Sequence, residues 1–320
     1  MFDVEFDRPR LIWHRGARQI WTTTKGAPDM TPAHPPQPSI RRRRLGSQLR
    51  RLREDAGKTV EEAAAFLEVH KATVSRVELG QTGIRPRDIG PLLAFYGVTD
   101  PDAVVALEAL ARDSRKRGWW QQYAETLPPE YADLIALEVE ASQIRTFQIA
   151  LIPGLLQTEG YTRAVTRANP AILDDASLDA FTKVRLARQE VLTAPNPARL
   201  SAIIGEAALR TPIGGRTVMR GQLEHLLSVA GRQNASLQVL PFEVGAHAGL
   251  SGPFVIFSYP LPAAGDVIYL ENLTSSLYLD DPEDAERYRT VFDNLRSAAL
   301  NPGDSRRMMR DIWEGMKGSS

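Results

Sequence analysis

Apolar residues recur with a helical period through residues 44–96, and this period predicts a bundle of short helices. Leu45, Leu49 and Leu52 occupy positions i, i+4 and i+7, so their side chains share one helix face. The stripe ends at Gly57, and glycine is the residue type that helices most often use just past their C-terminal end. The pattern therefore predicts a first helix that stops near this glycine.

A second and a third helix are predicted on either side of a tight turn. The run Thr59–Glu62 has the form of a capping box, in which a Thr and a Glu side chain each cap a backbone N–H group of the same helix end. It predicts a helix from this point through Leu67, and the helical pattern resumes from Lys71 to about Leu79. Further helices are predicted over Arg87–Tyr96 and Pro101–Arg117.

The pattern changes after Gly118, where short apolar runs typical of strands are mixed with helical stretches. Strands are predicted at Leu200–Ile204, Leu237–Leu240, Phe254–Tyr259, Val267–Leu270 and Ser276–Leu279. Helices are predicted at Gln157–Ala168, Leu178–Leu192, Val218–Gly231 and Pro282–Ala299. Because the strands cluster after helices without a regular strand–helix–strand alternation, the pattern favours a mixed α+β domain.

These patterns predict a multidomain chain with an all-α N-terminal domain and a mixed α+β C-terminal domain. Prolines crowd residues 28–38, and no period is sustained before them, which is typical of a disordered leader. Within that leader, Met30 is an alternative to Met1 as the start of translation. The predicted divisions are a leader at 1–40, a helical domain at 41–98, a connecting helix at 99–117, an α+β domain at 118–305 and a C-terminal tail at 306–320.

Charge is distributed unevenly along a chain whose formal net charge is zero. Residues 41–98 carry twelve Lys/Arg against seven Asp/Glu, whereas residues 99–320 carry 22 against 28. The positive surplus lies where a polyanion would bind. The chain has no cysteine, which excludes disulfides and thiolate metal sites. With no secretion signal and no spanning helix in the pattern, we expect a cytoplasmic protein that has no membrane partner.

The second and third predicted helices have the two-faced pattern that a helix-turn-helix needs. Their inner face is supplied by Val60, Ala64, Leu67, Val74 and Val77, with Val69 in the turn between them. Polar or short side chains are left on the outer face of the third helix, namely Lys71, Ala72, Thr73, Ser75 and Arg76. A face of this kind fits a major groove about 12 Å wide and reaches base edges there. Double-stranded DNA is therefore the predicted partner.

The runs LRRLREDAGKTVEEAA at 49–64 and ATVSRVELG at 72–80 resemble the XRE family, the phage-repressor-like helix-turn-helix regulators. The resemblance implies a lambda-repressor-like fold over roughly residues 45–98. It also implies that Lys71, Ala72 and Arg76 face bases and that Thr73 touches phosphate; Ser75, beside them, is assigned to the phosphate contacts too. The family often ties the first helix to the third through a pair that corresponds here to Arg53 and Glu78.

Three positions depart from the pattern of that family. Val60 stands where a phosphate-binding glutamine is common, and His70 stands where Ser or Thr usually caps the recognition helix, a loss of about 1 kcal/mol. Glu68 replaces a glycine of the turn, and a left-handed conformation at this residue would cost roughly 1 kcal/mol or more. These departures predict a module of modest stability or of unusual specificity.

Four consecutive arginines, Arg41, Arg42, Arg43 and Arg44, precede the first leucine of the stripe. As a functional element they would form an arm that neutralises phosphates or enters the minor groove. As a bland alternative they are a solvated charge run at a domain boundary. Composition does not decide between these two interpretations, and similarly Arg53 and Glu78 could be only an exposed pair of little energetic weight.

The C-terminal part resembles the antitoxin-like domain that accompanies such modules in many actinomycete regulators. The resemblance lies in several collinear runs, including EVEA at 138–141, IRTF at 144–147, LIPGLLQTE at 151–159, QVLPF at 238–242 and GAHAGL at 245–250. We find no nucleophile elbow, phosphate loop or zinc motif in it, so we expect no enzyme and no cofactor or metal. His247 is the one histidine in a loop of active-site character, and a structural role is the commoner one for such a residue.

The sequence therefore predicts a sequence-specific DNA-binding transcription regulator, associated with the nucleoid and controlled through its C-terminal domain. A homodimer is expected, because two recognition helices are needed to reach successive half-sites. The aromatic residues of the C-terminal domain are enough for a core plus a pocket, so a small-molecule effector of unknown identity stays open. The alternative function is that of an antitoxin-like protein, which sequesters a small partner protein encoded nearby and regulates its own operon.

Overall fold

The computed structural model of the chain describes residues 39–113, 118–123, 129–168, 174–260, 265–272 and 275–316. The disordered leader predicted for 1–40 lies outside the described residues, apart from Ser39 and Ile40 at its end. A helical N-terminal region is followed by a C-terminal domain with a mixed sheet, as the sequence predicted. No helix in the described ranges has the length and apolar character needed to cross a membrane.

The N-terminal region consists of helices packed around one buried apolar cluster. The helices are α1 (Ile40–Asp55), α2 (Val60–Phe66), α3 (Lys71–Glu78), α4 (Pro86–Phe95) and α5 (Pro101–Asp113). Leu45, Leu49, Val74, Ile89 and Leu93 are among the buried members of the cluster. Helix α5 lies within the stretch predicted as a connecting helix at 99–117, and it contributes Leu107, Leu110 and Ala111 to this same core.

Local sequence determines where these helices start and stop. Thr59 caps α2 as predicted: its Oγ1 accepts a hydrogen bond from the Glu62 backbone N–H at 3.1 Å, and its own N–H donates to Glu62 Oε2 at 2.8 Å. Gly57 follows α1 with φ +64°, a left-handed conformation that glycine adopts without steric cost. These signals lie within a few residues of the ends they determine, and this is why the helices could be predicted from the sequence.

The C-terminal domain combines a six-stranded sheet with seven α-helices among the described residues. The strands are β1 (Gln143–Gln148), β2 (Arg199–Gly205), β3 (Ala235–Leu240), β4 (Phe254–Ser258), β5 (Val267–Glu271) and β6 (Ser276–Leu279). The helices are α6 (Pro129–Glu140), α7 (Glu159–Arg167), α8 (Asp175–Ala187), α9 (Glu206–Arg210), α10 (Arg216–Val229), α11 (Pro282–Ala298) and α12 (Pro302–Gly315). Strands β2 to β6 were predicted, and β1 was not.

The sheet has two parallel and three antiparallel strand pairings, in the order β3-β2-β1-β4-β5-β6. Strand β1 pairs in parallel with β2, and β2 with β3, while β4, β5 and β6 continue from β1 as an antiparallel meander. The mixed α+β class is confirmed. The expectation that strands and helices do not alternate is wrong, because β1, α7–α8, β2, α9–α10 and β3 form two successive crossovers.

Apolar side chains cover both faces of the sheet, and they separate by strand alternation. On one face, Ile204 of β2 joins a cluster with residues of α6, α10 and α12, while Ile203 points to the other face and packs against α11. Most of the C-terminal tail predicted for 306–320 lies in a helix. Residues 302–315 form α12, whose Met309 is fully buried in the first cluster, and residues 317–320 lie outside the described part.

Candidate DNA-binding interface

The turn between α2 and α3 sets the angle between these two helices. The chain leaves α2 through Leu67, reverses at Glu68 with φ +54°, and closes with a hydrogen bond from the Val69 N–H to the Ala64 carbonyl at 3.0 Å. His70 stands at the N-cap of α3, and its side chain makes no capping hydrogen bond. The left-handed conformation at Glu68 and the missing side-chain cap at His70 are thus both present, as the sequence predicted.

Replacing Glu68 by glycine is expected to stabilise the module by about 1 kcal/mol, because glycine adopts the left-handed conformation without the steric cost of a Cβ atom. Hydrogen exchange of the α2 and α3 amides measures the effect locally. Ala65→Gly, at an exposed position inside α2, is the matched control and is expected to destabilise by about 1 kcal/mol. If both glycine variants exchanged faster than the wild type, strain at Glu68 would be disproved.

The outer face of α3 is open to solvent, and its inner face is anchored in the core. Val74 is buried, while the side chains of Lys71, Ala72 and Arg76 are exposed. Thr73 and Ser75 are half-buried at the edges of the same face. The structure therefore brings together the five residues of α3 that the sequence assigned to base and phosphate contacts, on one surface of about two helical turns.

The two cations of this face differ in their surroundings. Lys71 forms an ion pair with Glu61 at the start of α2, and the hydrogen bond from Lys71 holds the pKa of Glu61 below its usual range. Arg76 has no ion-pair or hydrogen-bond partner for its guanidinium within the described ranges. Arg76 can therefore bind a base edge without first breaking a protein contact, whereas Lys71 must leave Glu61 to do so.

The pair Arg53–Glu78 joins α1 to the end of α3. Arg53 donates to Glu78 through Nε at 2.6 Å and through Nη2 at 2.9 Å, and its Nη1 donates to the Lys58 carbonyl at 2.8 Å. Both side chains are more than nine-tenths buried, so the pair is not the exposed one that the bland interpretation described. Hydrogen bonding to Glu78 raises the pKa of Arg53.

Two further exposed cations, which follow α3 along the chain, were missed in the sequence. Arg85 and Arg87 are exposed and flank Pro86, the first residue of α4, whose free backbone N–H groups also favour anions. The loop that leads to them is anchored by the buried side chain of Ile84. The signal was present as two arginines around a helix-starting proline, shortly after the end of α3, and it indicates a place for a phosphate.

The structure does not support the phosphate arm predicted for Arg41, Arg42, Arg43 and Arg44. These residues form the first turn of α1 rather than an extended segment in front of it. Arg41 forms an ion pair with Glu140 of α6. Burial raises the pKa of Glu140, and the charges of Arg41 and of Arg44 lower it. A guanidinium that is committed to a protein carboxylate is not available to a phosphate in this arrangement.

The other arginines of this turn also face the C-terminal domain. Arg43 Nη2 donates to Asp133 Oδ2 at 2.9 Å. The Arg44 guanidinium lies 3.5 Å from the centre of the Tyr259 ring, and its Nη2 donates to the Gly265 carbonyl at 3.1 Å. Arg42 is half-buried in the same turn. Arg41, Arg43 and Arg44 thus contact the C-terminal domain rather than solvent alone, and a phosphate role for the four arginines stays a prediction.

His247 and Glu138 of the C-terminal domain both make contacts with neighbouring protein groups. His247 Nδ1 accepts a hydrogen bond from the Gly249 N–H at 3.2 Å, and its ring packs edge-on against Phe147 at 5.7 Å. Glu138 binds the buried Arg188 through two hydrogen bonds of 2.5 and 2.7 Å. Within the part of the chain that the structure describes, no group of three or more His, Cys, Asp or Glu side chains could hold a metal ion.

A groove of about 710 Å³ runs along α12, where an effector could be sought. Its apolar floor includes Met308, Ile312 and Met316. The cation Arg307 at its rim is paired with Asp304 at 2.9 Å, and Asp311 also lines the groove. A small-molecule effector therefore stays a prediction.

Comparisons with known proteins agree with this two-part organisation. Residues 44–107 match the family model described as a helix-turn-helix domain. Residues 131–311, more than half of the chain, match the model described as a domain of unknown function, DUF5753. No curated protein and no solved structure matches the chain.

Proposed function

Because this chain belongs to the DUF5753 family and carries a helix-turn-helix domain in front of that family's domain, we propose that it is a sequence-specific transcription regulator. The helix-turn-helix domain itself indicates a DNA-binding regulator in general terms. The finer proposal is that α3 enters the major groove of duplex DNA and that the C-terminal domain controls this binding. The proposed location is the cytoplasm, at the nucleoid.

The observation that carries the proposal is the exposed face of α3. Arg76 is its unpaired cation, and a guanidinium binds guanine through O6 and N7 at once, so Arg76 is assigned to a guanine. Lys71 and Ala72 contact neighbouring bases, and Thr73 and Ser75 face the phosphates. Arg85 and Arg87 take the phosphate role that the sequence had given to the first turn of α1.

Selection of bound duplexes from a random DNA pool tests the proposal, with wild-type protein and the Arg76→Ala variant side by side. We expect an inverted repeat with half-sites about ten base pairs apart, because a dimer places two recognition helices one turn apart on DNA. Arg76→Ala is expected to cost about 1–3 kcal/mol and to relax the preference at one base pair of each half-site.

Arg87→Ala is the matched comparison, since it removes an exposed arginine that does not lie on α3. It is expected to weaken binding to all sequences alike and to lower the slope of log K against log salt by about 1. If both variants weakened every sequence equally, the assigned roles would be wrong. If no motif were recovered at moderate salt, sequence-specific reading would have to be abandoned.

A second candidate function is the antitoxin-like one, and exposed apolar side chains favour it. Phe242 and Leu250 are more than half exposed, on the segment that connects β3 to β4. Apolar side chains of this size at the surface are typical of protein-binding sites. Co-purification with the small product of a neighbouring gene, using wild type and a Phe242→Ser, Leu250→Ser variant, tests this. Retention by both proteins, or by neither, would count against this surface.

A further inference from the structure

Helix α1 belongs to both halves of the chain. Leu45 and Leu49 lie in the buried cluster of the helix-turn-helix region, whereas Ile40, one turn earlier, lies in the main cluster of the C-terminal domain. The Ile40 backbone N–H also donates to Asp133 Oδ1 at 3.0 Å. One continuous helix is thus packed into two cores, so a movement of α1 against either core must break buried contacts.

Two carboxylates of helix α6 form ion pairs with the first turn of α1. Asp133 and Glu140 are seven residues apart and therefore share one face of α6, where they pair with Arg43 and Arg41. Both carboxylates are mostly buried, with 19% and 15% of their side chains exposed. Charge pairs at this degree of burial are screened less than surface pairs, and the Arg43–Asp133 pair also has a directional hydrogen bond, so the two pairs can fix an orientation.

The opposite side of α6 is held by the core of the C-terminal domain. Tyr131 and Glu138 are also seven residues apart, and they lie about 200° around the helix from the first pair. Both bind Arg188, which is 7% exposed and follows α8 directly. Helix α6 is therefore fixed to the domain on one side while it holds α1 on the other.

The backbone of α1 is in direct contact with the recognition helix α3, so a restraint on the orientation of α1 also restrains α3. A Cβ atom on Gly46 of α1 would lie within 3 Å of the Val77 and Glu78 carbonyl oxygens at the end of α3. A Cβ atom on Gly80, just after α3, would lie within 3 Å of the Arg43 backbone. Backbones in direct contact at two points transmit a rotation of α1 to α3.

We propose that Asp133 and Glu140 are positioning residues for DNA binding: acting through α1, they set the orientation of the recognition helix relative to the C-terminal domain. The inference rests on the proposed function of α3. The carboxylates do not contact DNA, and they affect only the orientation of the helix-turn-helix region relative to the C-terminal domain. A single half-site is read equally well without them, whereas a complete site with two half-sites requires the fixed orientation.

The absence of cysteine from the chain makes the orientation directly measurable. Ala94 and Gln233 are exposed, one in each half of the chain, and each is replaced by a cysteine that carries a spin label. Double electron–electron resonance then records the distribution of distances between the two labels. In the Asp133→Asn, Glu140→Gln variant the distribution is expected to broaden at least about twofold, because the neutral amides no longer hold the arginines. Asp179→Asn, which removes a pair with Arg163 away from α1, is the control and should leave it unchanged.

Binding to duplexes recovered by selection gives the second readout. The variant is expected to bind a single half-site within about twofold of wild type and a complete site about tenfold more weakly, since geometry sets the gain from a second linked contact. An unchanged distance distribution, or a broadened one with unchanged affinity for the complete site, would overturn the proposal.

Two checks keep this outcome separate from other failures. The exchanged pair Arg43→Asp with Asp133→Arg restores the narrow distribution if the charge pair itself positions α1, and it also serves if the neutral variant does not fold. If the wild type selected no DNA sequence, the proposed function would fail, while the distance distributions would still decide whether the carboxylates fix the orientation.

Discussion

Replacing Glu138 by glutamine is expected to lower the free energy of unfolding of the C-terminal domain by about 3–5 kcal/mol. Glu138 and Arg188 are 3% and 7% exposed, and the carboxylate accepts two hydrogen bonds from the guanidinium. Burial alone would lower the pKa of Arg188, but Glu138 and Tyr131 more than offset it and the pKa is raised. Glutamine leaves this cation charged, buried and without its counter-ion.

The effect is measured by thermal unfolding of the full chain with a probe in the C-terminal domain. Asp293→Asn is a suitable control, because it removes an exposed pair with Arg296, and such pairs contribute about 0–1 kcal/mol. Replacing both buried partners, in Glu138→Leu with Arg188→Met, is expected to recover much of the loss, since no uncompensated charge remains. If Glu138→Gln destabilised no more than the control, the buried pair would not be the anchor of α6.

Gly46→Ala is the second change with a large expected effect, a loss of about 2–3 kcal/mol in the stability of the helix-turn-helix region. Inside a helix, alanine normally stabilises relative to glycine by about 1 kcal/mol. Here the added methyl would meet two backbone carbonyl oxygens at the end of α3. Backbone atoms cannot rotate away as a side chain can, so α3 has to move relative to α1.

Gly83→Ala is the matched control, since a Cβ atom at Gly83 would meet nothing within 4 Å. Hydrogen exchange of α1 and α3 measures stability, and binding to a selected duplex measures the consequence for DNA. We expect Gly46→Ala to weaken both and Gly83→Ala to change neither by more than about 0.5 kcal/mol. Equal behaviour of the two variants would show that the α1–α3 contact has room to adapt.

The helix-turn-helix could be predicted from the sequence because its signals are local. The capping box at Thr59–Glu62, the glycine at 57 and the valines at 74 and 77 each fix a feature within a few residues of themselves. The outer face of α3 followed from the same periodicity. By contrast, Arg85 and Arg87 were missed although they flank a helix-starting proline, because they lie outside the two helices that the family pattern covers.

The central strand of the sheet was missed for a physical reason. In β1 the buried residues are Ile144, Thr146 and Phe147, so the two apolar ones are three apart, on opposite faces, and the strand shows no apolar alternation. Arg145 in the same strand is paired with Asp266 at 3.0 Å, a partner 121 residues away. Without β1 the two crossovers were invisible, although the α+β class was still predicted correctly.

The role of the four arginines could not be predicted, because their partners are distant in sequence. Arg43 and Arg44 bind residues 90 and 221 positions further along the chain. A run of arginines next to a DNA-binding module has the same composition whether it meets phosphates or the carboxylates of a second domain. Only the packing of α1 against α6 distinguishes the two.

A double-mutant cycle between Arg76→Ala and 7-deazaguanine tests most directly whether α3 reads base edges. Each guanine of a selected duplex is replaced in turn, which removes the N7 acceptor and leaves pairing intact. With wild-type protein, we predict that one guanine per half-site costs about 1–3 kcal/mol when it loses N7, and that this cost disappears in Arg76→Ala. If the losses of binding free energy from Arg76→Ala and from the removal of N7 were additive at every guanine, Arg76 would not contact the N7 atom of any guanine.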